Sequence, residues 1–171
     1  MKDTVKKIYF DMDGVLADFE GGAREFCGLP KLDPGQRRTE EEDDLMWQKI
    51  REVEHFYDRI KPLADGVEVF RKLYAIYGDK CEILTGIPKP RRGILTAGED
   101  KINWSHRILS EDIVVNIVYR EQKKDFCKGS DYILIDDLPS NIDSWKNFGG
   151  TGILHKDAQT TLNILTEKGI I

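Results

Sequence analysis

Ile8-Tyr9-Phe10-Asp11-Met12-Asp13-Gly14-Val15-Leu16-Ala17-Asp18 opens as a strand and closes as a cluster of acids. A run apolar on both faces suits a strand buried within a parallel sheet. In extended chain, residues i and i+2 face the same way, so the carboxylates of Asp11 and Asp13 can address one point. Gly14 then permits a sharp turn and close approach of backbone to a ligand. A second run repeats the pattern, with Tyr132-Ile133-Leu134-Ile135 followed directly by Asp136-Asp137. If the two strands are neighbours, their terminal acids converge. Like charges at ~4 Å repel by roughly 4 kcal/mol per pair near a protein surface. Three or four such acids in one crevice need a cation, and all-oxygen ligation suits Mg²⁺. Strand-end acids can also be plain helix N-caps, which accounts for one pair more readily than for two.

Outward from these runs, short apolar stretches alternate with helical patterns. Glu82-Ile83-Leu84, Ile113 to Val118 and Gly152-Ile153-Leu154 read as further strands. Asp65-Gly66-Val67-Glu68 resembles a capping box, followed by Val67, Phe70, Tyr74 and Tyr77 at helical spacing and stopped by Gly78. Ile142, Trp145 and Phe148 form another stripe, and Ala158, Leu162 and Leu165 a last one. The alternation predicts a doubly wound α/β domain with a mainly parallel sheet. Residues 16–63 interrupt it, with helical signals but no strand. Thr39-Glu40-Glu41-Glu42 is a capping box, Met46, Ile50, Val53 and Tyr57 run along one face, and Pro30, Pro34 and Gly35 break the segment before it. The expected organisation is a core of residues 1–15 and 64–171 with a small helical cap, 16–63, inserted after strand one. Such an insert overhangs the carboxyl ends of the strands, where open α/β sheets place their sites.

Composition narrows the class. The chain has 171 residues, enough for one domain with a core of its own. It carries 26 Lys and Arg against 31 Asp and Glu, a net charge of −5, which argues against a nucleic-acid polymer as partner. Cys27, Cys81 and Cys127 are too few and too scattered for a disulfide framework or a zinc knuckle. The opening Met1 to Lys7 has no apolar signal run, and no stretch approaches 18 apolar residues, so a soluble cytoplasmic protein without a membrane partner is expected.

Two more features fall between the acid pairs. Ile83-Leu84-Thr85-Gly86-Ile87-Pro88 ends a strand with a hydroxyl beside a glycine, a small anion cradle. Lys101 lies at the start of a helical stretch with Ile102, Trp104 and Ile108. Either alone is weak, since Thr-Gly is commonly a turn and a lysine commonly a solvated charge. The ordered set Asp11-Met12-Asp13-Gly14, Thr85, Lys101, Asp136-Asp137 resembles the four motifs of the haloacid dehalogenase-like (HAD) phosphohydrolases. Within that superfamily, Asp11 to Phe19, Lys101-Ile102-Asn103-Trp104, Ile135-Asp136-Asp137 and Gly149-Gly150-Thr151-Gly152-Ile153-Leu154-His155 resemble the 5′(3′)-deoxyribonucleotidases. So does a helical cap between the first two motifs.

The resemblance implies a Mg²⁺-dependent phosphoric monoester hydrolase acting on (deoxy)nucleoside monophosphates. It implies Asp11 as nucleophile and Asp13 as general acid and base. Asp11, the backbone carbonyl of Asp13 and Asp136 would hold Mg²⁺, with Asp137 close behind. Thr85, Gly86 and Lys101 would hold the phosphoryl group. The branch usually has Thr-Ser-Pro where this chain has Thr85-Gly86-Ile87-Pro88, so one hydroxyl is missing. Its substrate-side Arg and Lys would correspond to Arg120 and Lys124, though the spacing that follows is longer, with Lys123 and Lys128 as alternatives.

Phe19 is expected as a cap-side wall of the substrate site, whereas Trp47 and Tyr57 fit the cap's own core better. Lys89-Pro90-Arg91-Arg92 reads as a solvated basic loop, and His55, His106 and His155 as structural or surface residues. The expected partner is a small phosphate ester, with a homodimer left open. Other readings are a phosphatase of sugar phosphates, and a phospho-accepting signalling domain. The second normally begins with adjacent acids and carries no long insert after its first strand.

Overall fold

Five strands form one parallel sheet: β1 (Lys7–Phe10), β2 (Cys81–Gly86), β3 (Val115–Val118), β4 (Tyr132–Asp136) and β5 (Thr151–Leu154), in the order β3-β2-β1-β4-β5. The structure, a computed structural model, describes residues 4–171; Met1, Lys2 and Asp3, where the reading of the amino-terminal stretch begins, lie outside it. Strand alternation sorts the side chains into two faces. Ile8, Phe10, Ile83, Ile133, Ile135 and Ile153 enter one apolar cluster, and Tyr9, Leu84, Val118 and Leu134 enter the other. Helices α4 (Ala64–Tyr77), α5 (Ala97–Ile108) and α7 (Ala158–Glu167) contribute Phe70, Leu73, Trp104 and Leu165 to the first cluster. Helix α6 (Pro139–Asn147) contributes Ile142 and Trp145 to the second. Burying a large apolar side chain is worth about 1.5–3 kcal/mol, so these two layers hold the sheet between them. The chain runs from β1 toward β3, then crosses back to β4. The crevice beyond the carboxyl ends of β1 and β4 is therefore the topological switch point.

Between β1 and α4 lie α1 (Phe19–Cys27), α2 (Glu40–Arg51) and α3 (Phe56–Arg59). The Asp18 carboxylate caps α1 by accepting from Gly21 N at 2.9 Å. Thr39 and Glu42 form the expected capping box on α2, with bonds of 3.2 and 2.8 Å. The chain enters and leaves this segment along two adjacent antiparallel stretches. Asp18 N donates to Lys61 O and Leu63 N to Leu16 O, both at 2.8 Å. Met46, Ile50, Phe56 and Ile60 are buried in the same cluster as the first face of the sheet.

Four local expectations change. Helix α4 starts at Ala64 with Leu63 as N-cap and no side-chain cap, rather than on Asp65. The start is set by packing: a Cβ on Gly66 would stand 1.7 Å from the Val15 carbonyl oxygen, so only glycine lets this turn lie on the loop after β1. The stripe from Met46 to Tyr57 is two elements, broken by a turn at His55, whose φ is 53°. Strand β3 begins at Val115, and Ile113 and Val114 precede it. Phe148 follows the end of α6 and is exposed, because the buried stripe ends at Trp145.

Candidate active site

Asp11 follows the last residue of β1, and Asp136 is the last residue of β4. The register pairs Phe10 with Ile135, and Asp11 N donates to Ile135 O at 2.9 Å, so the two acids stand side by side. Beyond Asp11 the chain turns tightly, with Leu16 N and Ala17 N both donating to Met12 O at 2.8 and 2.9 Å. Gly14 has φ +82°, and a Cβ there would meet Asp137 Oδ2 at 2.2 Å. Glycine thus closes the first acid loop onto the second.

Carboxylate oxygens of Asp11, Asp136 and Asp137 lie within 4.8 Å of one another. Burial first, then the carboxylates of Asp136 and Asp13, push Asp11 above the usual range, against the pull of Lys123. Burial, followed by Asp11 and Asp136, pushes Asp137 up as well. Asp136, fully buried, is satisfied: Leu138 N donates to Oδ1 at 2.9 Å, and Asn141 Nδ2 and Lys123 Nζ each donate to Oδ2 at 2.9 Å. Lys123 Nζ also donates to Asp11 Oδ1 at 2.7 Å. Its burial disfavours the charge, but Asp11 and Asp136 outweigh that and hold the ammonium protonated. Asp13 Oδ1 and Asp137 Oδ1 are buried without a hydrogen-bond partner among the described residues. Three converging carboxylates with spare acceptor capacity fit a hard divalent cation such as Mg²⁺.

The Asp13 side chain is held by a different lysine. Lys101, fully buried, donates to Asp13 Oδ2 at 2.8 Å, Thr85 Oγ1 at 2.9 Å and Gly86 O at 2.8 Å. Its ammonium also lies 4.5 Å from the centre of the Tyr57 ring. The two aspartates of the first motif therefore have different neighbours: acids and Lys123 around Asp11, Lys101 beside Asp13. Different surroundings allow the two acids to take different parts in one reaction.

The acids open into a cleft of about 410 Å³ that Phe19, Trp47, Ile87 and Arg120 help to line. The Phe19 ring packs on Trp47 and Tyr57 at 6.0 and 6.1 Å between centroids. Trp47 and Tyr57, both expected in the cap's core, line the cleft: Trp47 is half-buried, and Tyr57, 1 % exposed, also packs on Lys101. Arg120 is steadied by Asn141 Oδ1 at 3.1 Å and Ser140 Oγ at 2.5 Å. Lys124 does not reach the acids. Its ammonium lies 5.4 Å from the Phe148 ring, beside a neighbouring hollow of about 220 Å³. Lys128 is exposed. Of the four basic residues considered in this stretch, Lys123 is the one between the acids. Residues Arg120–Phe126 form 3₁₀ turns, and a period of three places Arg120, Lys123 and Phe126 on one side.

Comparisons with known proteins bear on the fold and the family. No curated protein matches the sequence. Among solved structures, a HAD-superfamily hydrolase from Ehrlichia chaffeensis is similar at a TM-score of 0.57 and 13 % identity, over 95 % of this chain and 97 % of that one. A hydrolase from Pseudomonas syringae is similar at 0.53 and 17 %, over 94 % and 98 %. A HAD-family hydrolase from Deinococcus radiodurans, solved with bound phosphate and sodium, is similar at 0.50 and 16 %, over 91 % and 84 %. These likenesses show the fold. Residues 4–167 match the family model described as 5′ nucleotidase, deoxy (pyrimidine), cytosolic type C protein (NT5C), and with nearly its whole length inside that match the chain belongs to this family of phosphoric monoester hydrolases.

Proposed function

We propose that the protein is a Mg²⁺-dependent phosphatase of (deoxy)nucleoside monophosphates that works through an aspartyl-phosphate on Asp11. The observation that carries this reading is the division of the site: a carboxylate cluster around Asp11 on one side, the Lys101–Asp13–Thr85 group on the other, and an aromatic-walled cleft above both. The Asp11 carboxylate attacks phosphorus, and the P–O bond to the leaving alcohol breaks as Asp13 gives that oxygen its proton. Asp13 then takes a proton from water, whose oxygen attacks phosphorus, freeing phosphate and restoring Asp11. Thr85 and Lys101 hold phosphoryl oxygens, and Lys123 holds the Asp11 carboxylate in place. Asp11, Asp136, Asp137 and the backbone carbonyl of Asp13 would hold Mg²⁺. When bound, the ion draws charge from the phosphoryl oxygens and from the acids.

The Deinococcus radiodurans neighbour, solved with bound phosphate and sodium, supports phosphate and a cation as ligands of this fold. The family description supports a deoxynucleotide substrate and a cytosolic setting. Among the described residues no helix is long and apolar enough to cross a membrane. Phosphate release from dUMP, dTMP, dAMP and glucose 6-phosphate, with Mg²⁺ or EDTA, tests the reading. The expected outcome is Mg²⁺-dependent release with pyrimidine deoxynucleotides preferred. Preference for glucose 6-phosphate would move the substrate class, and full turnover in EDTA would remove the metal.

A further inference from the structure

His55 is the one non-glycine residue with positive φ among the described residues, at 53°. It stands at the N-terminal end of α3, and its Nδ1 lies 2.7 Å from Asp100 Oδ1. Asp100 is 1 % exposed, and its other oxygen accepts from Thr96 Oγ1 at 2.7 Å. A left-handed backbone at a side chain with a Cβ is strained, and it persists where surrounding contacts over-determine it. The ion pair is such a contact.

Its position ties it to the site. Asp100, Trp104 and Arg107 lie at i, i+4 and i+7 on one face of α5, and α3 docks on that face. Trp104 Nε1 donates to Ile60 O at 2.7 Å, and Arg107 Nη1 and Nη2 donate to Asp58 Oδ1 and Asp58 O at 2.5 and 2.6 Å. The His55–Asp100 rung is nearest the chemistry. Asp100 precedes Lys101, and His55 stands two residues before Tyr57, whose ring covers the Lys101 ammonium. We propose that His55 is a positioning residue for phosphoryl transfer: by binding Asp100 it seats α3 on α5 and so holds Tyr57 against Lys101. The kinetic part of this proposal rests on the phosphatase reading above.

The clamp is sensitive to pH. The Asp100 hydrogen bond and charge hold the His55 imidazolium above its ordinary range, with Glu54, 3.9 Å from Nε2, and Asp58 adding to the effect. Of the cations on the packed elements, Arg107 is occupied by Asp58, and Arg59 donates to Glu54 O at 3.5 Å. With the folded value raised, the charged pair is fully present below about pH 6.5 and is lost as pH rises through the raised value. A charge-assisted bond is stronger than the neutral one that remains.

The test uses His55→Asn, which tolerates the left-handed backbone but carries no charge, and Asp100→Asn. Three readouts are followed. Amide hydrogen exchange at residues 56–60 should quicken roughly three- to tenfold in His55→Asn, while β1 is unchanged, as expected for a half-exposed charged bond. The His55 ring titration, followed by NMR in the full protein, should fall in Asp100→Asn. The ratio of wild-type to His55→Asn turnover on dUMP should be severalfold at pH 6 and approach one at higher pH, because other titrations cancel in the ratio. Unchanged exchange at 56–60, an unmoved His55 midpoint in Asp100→Asn, or a ratio flat with pH overturns the proposal. If the wild type hydrolyses no phosphate ester, the phosphatase reading fails while exchange and titration still decide the clamp.

Discussion

Lys123 shows how much one side chain can carry. It is 5 % exposed and sits between two buried aspartates that repel one another. Removing one partner of a buried ion pair strands the other charge, at a cost on the order of 3 kcal/mol. Lys123→Met should therefore melt earlier than the wild type in EDTA, and Mg²⁺ should recover a larger share of the loss than it adds to the wild type. Turnover should fall by about 10²–10³, as for loss of one preorganised electrostatic partner. A variant with wild-type turnover and wild-type melting in EDTA would remove Lys123 from the site. Asp11→Asn should abolish turnover altogether, since an amide is no nucleophile toward phosphorus. Asp13→Asn should cost about 10²–10⁴ by removing the proton donor. Asp11, Asp13, Asp136 and Asp137 stand out in the sequence because each pair abuts an apolar strand. Lys123 is harder to find because Tyr119-Arg120-Glu121-Gln122-Lys123-Lys124 has no strand or α-helix period to say which lysine turns inward.

At the scale of elements, the helices between β1 and α4 divide their aromatics between two duties. Phe19 lines the cleft, whereas Phe56 is 1 % exposed and packs edge-on against Phe19 and Tyr57 at 5.7 and 5.3 Å. Phe19→Ala should change the ranking among nucleotides while p-nitrophenyl phosphate, which has no base to place, is hydrolysed within about twofold of the wild-type rate. Phe56→Ala should instead lose about 3–5 kcal/mol of stability, the usual cost of emptying an aromatic core position. Denaturant melts beside a substrate panel separate the two. A changed ranking with undiminished stability in Phe56→Ala would exchange their roles. The strands were legible as elements because parallel strands buried on both faces read as continuous apolar runs. Their ends and the helix starts were less so. Helix α4 begins where the chain is pinned by the Leu63 to Leu16 hydrogen bond and by the fit of Gly66 on Val15, contacts 47 and 51 residues apart in sequence that no local motif encodes.

At the scale of the whole molecule, the site sets a stability gradient with pH. In metal-free protein, Asp11 and Asp137 are held above the usual carboxylate range, chiefly by burial. Their folded forms keep protons that the unfolded chain has already released above about pH 4. The folded state thus binds more protons through this window, and stability must fall as pH rises through it. Metal reverses the balance, because its ligands must be deprotonated, so Mg²⁺ uptake near neutrality should release protons. At a hundredfold excess over its dissociation constant, a ligand bound only by the folded state adds about 2.7 kcal/mol. At about 2–4 °C per kcal/mol for a chain of this size, that is a rise of roughly 5–10 °C in Tm. Melting in EDTA at pH 6 and pH 8, for wild type and Asp137→Asn, isolates the gradient from the other carboxylates. The wild type should lose stability between the two relative to the variant, and added Mg²⁺ should erase that loss while an indicator dye reports acid release. Mg²⁺ binding without proton release at pH 7, or equal melting differences in both proteins, would mean that these acids are already ionised in the metal-free fold. The cation would then be screening their repulsion rather than displacing their protons.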